Sequence, residues 1–374
     1  MLLSSPRDAL ARWETQPLAA AALPEAARFL YRSAQPAPAP GVERSFRESP
    51  LATQRRLEWL LLGNPASEAG AAPSLCVRDA SGTIVGLLVA FPTVFVAGDR
   101  RLVALGSGGF FVDPQARTLG FYLFKRSLAS PGYAFHFSTT CNAASGLVWR
   151  AVGAVPVPES DREYMLPLRL DVVLPSFVAG RTMRPGLLAL ARAVGGAVDR
   201  VRTLVADTRP ALVVEPCRDW DKLAALARRH RRAGVITAER SAPWLEWRYG
   251  PGAPNAPFDI YVVRDRRGNE GWFSLGRITR GRHGQVRGGI VLDAVWPPGM
   301  RCADVMRTIP PLVPTEIDAV FFRPRVGVDP RACGRWLVAR RWESPSAFVI
   351  TPRGAAPVTV SALDLVPADG EGAF

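Results

Sequence analysis

Lysine is almost missing from this 374-residue chain. It occurs only at Lys125 and Lys222, so of the 47 basic residues all but these two, 45, are arginine. Against 33 acidic residues the formal net charge is +14. So complete a skew toward one basic residue reflects the make-up of the whole chain rather than a selected phosphate-contacting surface. The arginines are also dispersed, apart from runs such as Arg228-Arg229-His230-Arg231-Arg232. A nucleic-acid partner is therefore not expected, and peripheral contact with a membrane is a lesser alternative to a generally basic surface. Cysteine is sparse too. The five residues Cys76, Cys141, Cys217, Cys302 and Cys333 include no CxxC pair, so no metal site is expected. Their odd number argues against a closed disulfide framework and suits a reducing cytoplasm. The N-terminus carries Arg7 and Asp8 where a signal peptide needs an apolar core. The longest uncharged apolar-rich run, Ser81 to Gly98, reaches spanning length, but Pro92 interrupts it and its β-branched content predicts two strands rather than a transmembrane helix.

What is present is a globular composition, 48% hydrophobic and 21% charged, on a chain too long for one ordinary core. A repeat organises it. Leu57-Glu58-Trp59 recurs as Leu245-Glu246-Trp247. Each copy is followed by a turn (Gly63-Asn64-Pro65; Gly250-Pro251-Gly252) and then by a hairpin (about Asp79–Gly82 and Asp265–Gly268). The shared order predicts two copies of one domain. Periodicity in the first copy predicts helices over Pro24–Tyr31, Gln54–Leu62, Leu119–Leu128 and Ala143–Val152. It predicts strands over Ser74–Val77, Thr83–Phe91, Leu102–Val112 and Ala134–Thr140, with Gln35–Gly41 a Pro-rich loop. Gly106, Gly108 and Gly109 inside one strand predict a bulge or a close approach of backbone to a ligand. Between the copies, Leu187, Leu190, Val194, Val198, Val201 and Val205 recur at helical spacing within Arg181–Val205. This reads as a linker helix. A membrane-surface helix using Arg192, Arg200 and Arg202 is the sharper alternative.

The most informative stretch runs from Val112 to Gly153. An apolar strand enters a loop holding Arg117 and Gly120, and a helix follows. That order aims backbone N–H groups and a helix N-terminus at one spot, as a diphosphate requires. A second strand then leads to Asn142-Ala143-Ala144-Ser145, another helix, and Gly153. The arrangement resembles the acyl-CoA-binding half of the GNAT acyltransferase family, in which the motif Gln/Arg-x-x-Gly-x-Gly/Ala binds the pyrophosphate. The match holds at Arg117 and Gly120 and departs at Tyr122, where the family prefers Gly or Ala.

The resemblance implies an α/β (α+β) fold of mixed, mostly antiparallel twisted sheets flanked by helices. It implies two tandem GNAT-like units: residues 1–175 with the acyl-CoA site, a linker helix over 176–206, a degenerate unit over 207–352, and a peripheral tail from 353. It implies acetyl-CoA or another acyl-CoA as co-substrate, held by Phe111, Val112, Arg117, Thr118, Leu119, Gly120, Phe121, Tyr122, Asn142 and Ser145. The amides near Ser107, Gly108 and Gly109 would polarise the thioester carbonyl. No carboxylate lies between Arg101 and Asp113, so the general base would come from elsewhere, with His136, Glu58 and Tyr164 as candidates. Cys141 is a weaker candidate for a covalent route. In the second copy Val291–Arg301 carries Pro297-Pro298 in place of the motif, and paired prolines remove amide donors. Trp244, Trp247, Arg248 and Tyr249 read as core packing or as the wall of an acceptor site. The expected activity is acyl transfer to a primary amine of an amino-sugar or similar metabolite, as in tandem acyltransferases of bacterial polysaccharide or secondary-metabolite pathways. The alternatives are a FemAB-like aminoacyl-tRNA-dependent transferase and a non-catalytic binding module.

Overall fold

The computed structural model describes residues 13–33, 49–67, 74–178, 185–205, 212–254, 256–280, 286–323, 325–326, 328–329, 333, 337–342 and 344–370. The first half runs β1 (Glu14–Pro17), α1 (Leu23–Ser33), α2 (Pro50–Leu61), β2 (Leu75–Arg78), β3 (Ile84–Ala97), β4 (Arg100–Val112), α3 (Arg117–Leu128), β5 (Phe135–Ser138), α4 (Ala143–Ala151), β6 (Val155–Pro156), β7 (Arg162–Pro167) and α5 (Leu170–Val178). The second runs α6 (Pro185–Val205), β8 (Val213–Pro216), α7 (Trp220–Arg229), β9 (Ile236–Ala238), α8 (Ala242–Tyr249), β10 (Asp259–Arg264), β11 (Glu270–Arg280), β12 (Val286–Val295), α9 (Cys302–Thr308), β13 (Ala319–Phe322), β14 (Val338–Arg341), β15 (Phe348–Ile350) and β16 (Leu363–Asp364). The fold is mixed α/β, as the sequence predicts. The expected loop over Gln35–Gly41 and the first residues of the Arg181 helix lie outside the described residues.

The two sheets share one plan. The first runs β1-β2-β3-β4-β5-β15-β6, and the second β8-β10-β11-β12-β13-β7-β14. Along these paths each is antiparallel except at one pair, β4 with β5 and β12 with β13, and off the first path β9 pairs antiparallel with β3 and parallel with β16. In each, the place between the fifth strand and the last is taken by a strand from the other half. Phe348 of β15 pairs with Ser138 and Pro156, and Met165 of β7 pairs with Phe321 and Val338. Phe348 is fully buried against Trp149, so the exchanged strand brings its own apolar anchor. Such an anchor contributes about 2 kcal/mol.

The sequence repeat is the axis of this plan. Trp59 and Trp247 stack with ring centroids 4.5 Å apart and planes 16° from parallel. Each indole N–H donates to the other tryptophan's carbonyl, at 2.9 and 3.0 Å. Arg248 and Tyr249 are buried beside this pair, and the Arg248 guanidinium faces the rings of Trp59, Trp244 and Trp247. The cluster is core packing.

Three readings need correction. Pro92 does not divide its run, because β3 is continuous through it. On the side away from β4, β2 pairs only with Ile84–Leu88 and β9 only with Phe95–Ala97, so the missing N–H falls between two partners and costs no ladder bond. The Pro92 carbonyl accepts from Asn64 Nδ2 instead. Cys302 and Cys333 form a disulfide despite the odd cysteine count. Last, the segment after Pro352 is not peripheral. Leu363, Ala368 and Asp369 are buried, β16 pairs with β9, and Asp369 together with Asp293 holds the buried Arg240 guanidinium. Burial pulls that arginine's pKa down, and the two carboxylates more than reverse the effect. No helix among the described residues is long and apolar enough to cross a membrane.

Candidate functional site

The parallel pairing of β4 with β5 is brief. It joins Ala104, Leu105 and Gly106 to Phe135, His136 and Phe137, and then the strands part. The cause lies one strand away. Val89 pairs with Gly108 and Leu88 with Phe110, so Gly109 is bulged out of the ladder. Its φ of 57° is left-handed, a region that costs an L side chain about 1–2 kcal/mol. A Cβ there would stand 3.0 Å from Val89 Cγ2. Glycine is therefore what the bulge requires, and the bulge turns β4 away from β5.

The opening is a cavity of about 520 Å³. Ser107, Gly108, Gly109, Phe110 and Phe111 form one wall, and Ser138, Thr140, Cys141, Asn142 and Ser145 the other. Leu30, Tyr31, Thr53, Arg56 and Leu57 close it from α1 and α2, and Phe124 and Trp149 from the two helices beneath. The last two meet edge to face with centroids 4.8 Å apart, which gives the cavity a firm apolar floor.

Helix α3 sends Phe124 to this cavity. No side chain caps it, and its first turn holds no acidic residue, so its positive end is not neutralised locally. Gly120 faces the sheet, where a Cβ would lie 3.3 Å from Phe110 and 3.4 Å from Val112. Leu119 is buried, whereas Arg117 and Thr118 are exposed. Phe121 and Tyr122 are 40% and 42% exposed, so the Tyr122 ring does not fill the corner. Of the expected cofactor residues, Phe111, Asn142 and Ser145 line the cavity, and Val112 and Arg117–Tyr122 do not. Asn142 and Ser145 also cap α4 reciprocally. Asn142 Oδ1 accepts from the Ser145 N–H and Ser145 Oγ from the Asn142 N–H, both at 2.9 Å. The Asn-x-x-Ser spacing is thus a helix-start signal in its own right.

None of the three candidate bases lines this cavity. His136 is fully buried on β5 with both ring nitrogens unpartnered, and burial pushes its pKa down to about 4. Glu58 accepts from Gln54 Nε2 at 2.8 Å on α2. Tyr164 lies in the second sheet, its ring 5.7 Å from that of Phe322. Cys141 lines the cavity, but burial raises its thiol pKa, which disfavours the nucleophilic thiolate. Among the described residues no group of three His, Cys, Asp or Glu side chains could hold a metal ion.

A second cavity, of about 640 Å³, adjoins the first and shares Thr140, Cys141 and Asn142 with it. It lies where the exchanged strands meet. Glu163 of β7, Arg280 of β11, Ile290 of β12, Arg323 after β13, and Trp342 after β14 contribute to its walls. The motif search missed these residues, as it missed Tyr31, Arg56 and Trp149. They come from distant segments, and no spacing in the sequence joins them.

Known structures share this architecture. A GCN5-related N-acetyltransferase from Anabaena variabilis superposes with a TM-score of 0.54 at 10% identity, covering 91% of this chain and 73% of that one. Another from Kribbella flavida gives 0.51 at 13% identity, with 91% and 71% covered. The N-myristoyltransferase of Saccharomyces cerevisiae, solved with myristoyl-CoA and inhibitors, gives 0.50 at 13% identity, with 86% and 75% covered. The likeness is one of fold: the chain is built as GCN5-related N-acetyltransferases are. No protein-family model and no curated protein matches the sequence.

Proposed function

We propose that this protein is an acyl-CoA-dependent N-acyltransferase acting on a small-molecule amine, with acetyl-CoA or another acyl-CoA as donor. The observation that carries the reading is the parting of β4 from β5 after Gly106, enforced by the bulge at Gly109. Beyond Gly106 the β4 backbone has no strand partner on that side, so its N–H and C=O groups are free to bond the amides of a pantetheine arm. The amides of Ser107 to Gly109 lie where a thioester carbonyl would follow, and donors fixed beforehand lower the barrier as charge develops on its oxygen. The uncapped start of α3, with Arg117 beside it, receives the diphosphate. The yeast neighbour bound to myristoyl-CoA supports a CoA thioester in this fold without fixing the acyl chain here.

We read the two sheets as two copies of one unit, of which only the first binds CoA. The acceptor is an amino-sugar or a similar amine. No carboxylate or imidazole lines the first cavity among the described residues, so this reading assigns rate enhancement to carbonyl polarisation and alignment of the amine. The test is melting temperature across acyl-CoAs from acetyl to palmitoyl at millimolar concentration. A rise of several degrees with at least one thioester is expected. No shift with any of them overturns the reading.

A further inference from the structure

One carboxylate, Glu163, lines the second cavity against three arginines, Arg280, Arg323 and Arg341. Glu163 is its buried carboxylate, and it is already engaged: Arg280 donates to it from Nη2 at 2.9 Å and Nε at 3.3 Å, and Arg340 from Nη1 at 3.2 Å. Arg323 enters the same cavity with no hydrogen bond or ion pair among the described residues. The indole Nε1 of Trp342 is buried there without an acceptor. Two cations approach its ring, the Arg280 guanidinium carbon at 5.7 Å and that of Arg340 at 5.1 Å from the centroid. Arg280 and Arg340 thus share one carboxylate, while Arg323 has no hydrogen bond among the described residues and the buried Trp342 N–H lacks an acceptor. Arg323 is half-buried, and burial pulls its pKa down, with Glu163 opposing and Arg280 adding to the fall. Ile278 and Ile290 supply the apolar side. Arginine and an indole N–H are donors only, so their complement is an oxyanion.

We propose that this cavity binds the anionic group of the acceptor, so that the amine acylated here also carries a carboxylate or a phosphate. The placement follows from the shared wall. An acceptor anchored by its oxyanion at Arg323 and Trp342 extends past Thr140, Cys141 and Asn142 into the first cavity and presents its amine to the thioester. Transfer then forms the amide N–C bond and breaks the C–S bond, and the amine's proton leaves with the CoA thiol or to water. Positive charge at the cavity also disfavours a cationic polyamine as acceptor.

This inference rests on the acyl-transfer reading, and the test separates the two. Acylation is followed by thiol release with paired amines: glucosamine 6-phosphate against glucosamine, and 6-aminohexanoate against hexylamine. The anionic member of at least one pair is expected to have a kcat/KM at least tenfold higher, and the Arg323→Gln enzyme to lose that preference tenfold. Which pair responds tells phosphate from carboxylate. Equal kcat/KM within both pairs, or an unchanged preference in Arg323→Gln, overturns the proposal. Binding is measured separately by titration calorimetry with 6-aminohexanoate and with glucosamine 6-phosphate, in the absence of any thioester. Binding that is lost in Arg323→Gln upholds the anion site even if no acyl-CoA binds, and no binding of either compound to the wild type overturns it. The variant is expected to melt no lower than the wild type, because Arg323 makes no bond whose loss would unfold it.

Discussion

The two halves follow the same strand order and diverge at the residue squeezed out of the bulge. In the first half it is Gly109, and in the second Leu292, since Ser274 pairs with Asp293 and Leu275 with Val291. The leucine is fully buried in the core, whereas the glycine leaves bare backbone on the wall of the open cavity. Around Leu292, Phe273, Trp296, Met306 and Pro367 reduce the second gap to about 30 Å³, against about 520 Å³ in the first. Asp293 on the wall of the second gap is held by the buried Arg240, which Asp369 also contacts. One topology thus surrounds an open cleft in the first half and a closed core in the second. The halves also differ downstream. The twelve-residue α3 follows β4 through a 3-10 turn at Pro114–Ala116, whereas β12 leads through Pro297-Pro298 into the seven-residue α9, tied by its disulfide.

The axis that relates the halves offers the largest effect. Trp59→Ala and Trp247→Ala should each destabilise by about 3–4 kcal/mol, because each removes a large packed ring and a hydrogen bond. If the contact is symmetric in energy as it is in geometry, urea titrations will give similar losses. The double variant will fall short of their sum by about 1 kcal/mol or more, since the rings share one interface. Widely unequal losses would show that one half depends on the axis and the other does not.

The bulge is the next lever. Gly109→Leu gives the first half the residue of the second. It should lower kcat/KM about a hundredfold or more, equivalent to about 2.7 kcal/mol, because a Cβ at this left-handed position meets Val89 at 3.0 Å and forces the bulge, and with it the cavity wall, to move. The reciprocal Leu292→Ala should cost about 3 kcal/mol of stability and leave kcat/KM within about twofold. Activity measured beside denaturant stability separates the two, and an active Gly109→Leu enzyme would mean that the cleft is not the donor site.

Much of this contrast was legible in the chain. Gly106, Gly108 and Gly109 announced a distorted strand, and the Leu-Glu-Trp repeat marked the two tryptophans that stack on each other. Local patterns carry that information because bulges, caps and turns are set by a few adjacent residues. The exchange of β7 and β15 was not legible. A three-residue strand such as Phe348–Ile350 fits either sheet, and only the geometry of the closing partners decides. The second cavity depends on that exchange, so its arginines read as scattered surface charge. The segment after Pro352 looked peripheral because its anchor, the Asp369 contact to Arg240, joins residues with no pattern between them. His136 invited a catalytic role by residue type alone, and its strand position turns it away from the cleft.

His136 has its own counterpart. It holds the middle position of the parallel pairing in the first sheet, opposite Leu105, where Val320 stands opposite Gly289 in the second. Its folded pKa near 4 lies below the ordinary 6.5, so the unfolded chain binds the proton more tightly. The stabilising contribution is complete above pH 6.5 and is lost as pH falls toward 4. Between pH 7 and pH 5 this single group should remove about 2 kcal/mol. His136→Val, which copies the second half, should flatten that part of the stability profile. An unchanged slope would place the acid sensitivity elsewhere.

The smallest effect tests the two helix starts. Arg117 is exposed and makes no ion pair among the described residues, whereas Arg301, just before α9, is held by Asp304 through contacts of 2.8 and 2.9 Å. An arginine without a protein partner at an uncapped helix start remains available to an anion, and one clamped by a carboxylate does not. Arg117→Glu should weaken acyl-CoA binding about tenfold, about 1.4 kcal/mol, because it replaces attraction to the diphosphate by repulsion. Its melting temperature without ligand should be unchanged, since exposed charges contribute little to stability. Arg301→Glu should leave acyl-CoA affinity as it was. Equal loss in both variants would show that the basic surface as a whole, rather than the first turn of α3, attracts the nucleotide, and raising the salt concentration would then weaken wild-type binding as much as the Arg117 substitution does.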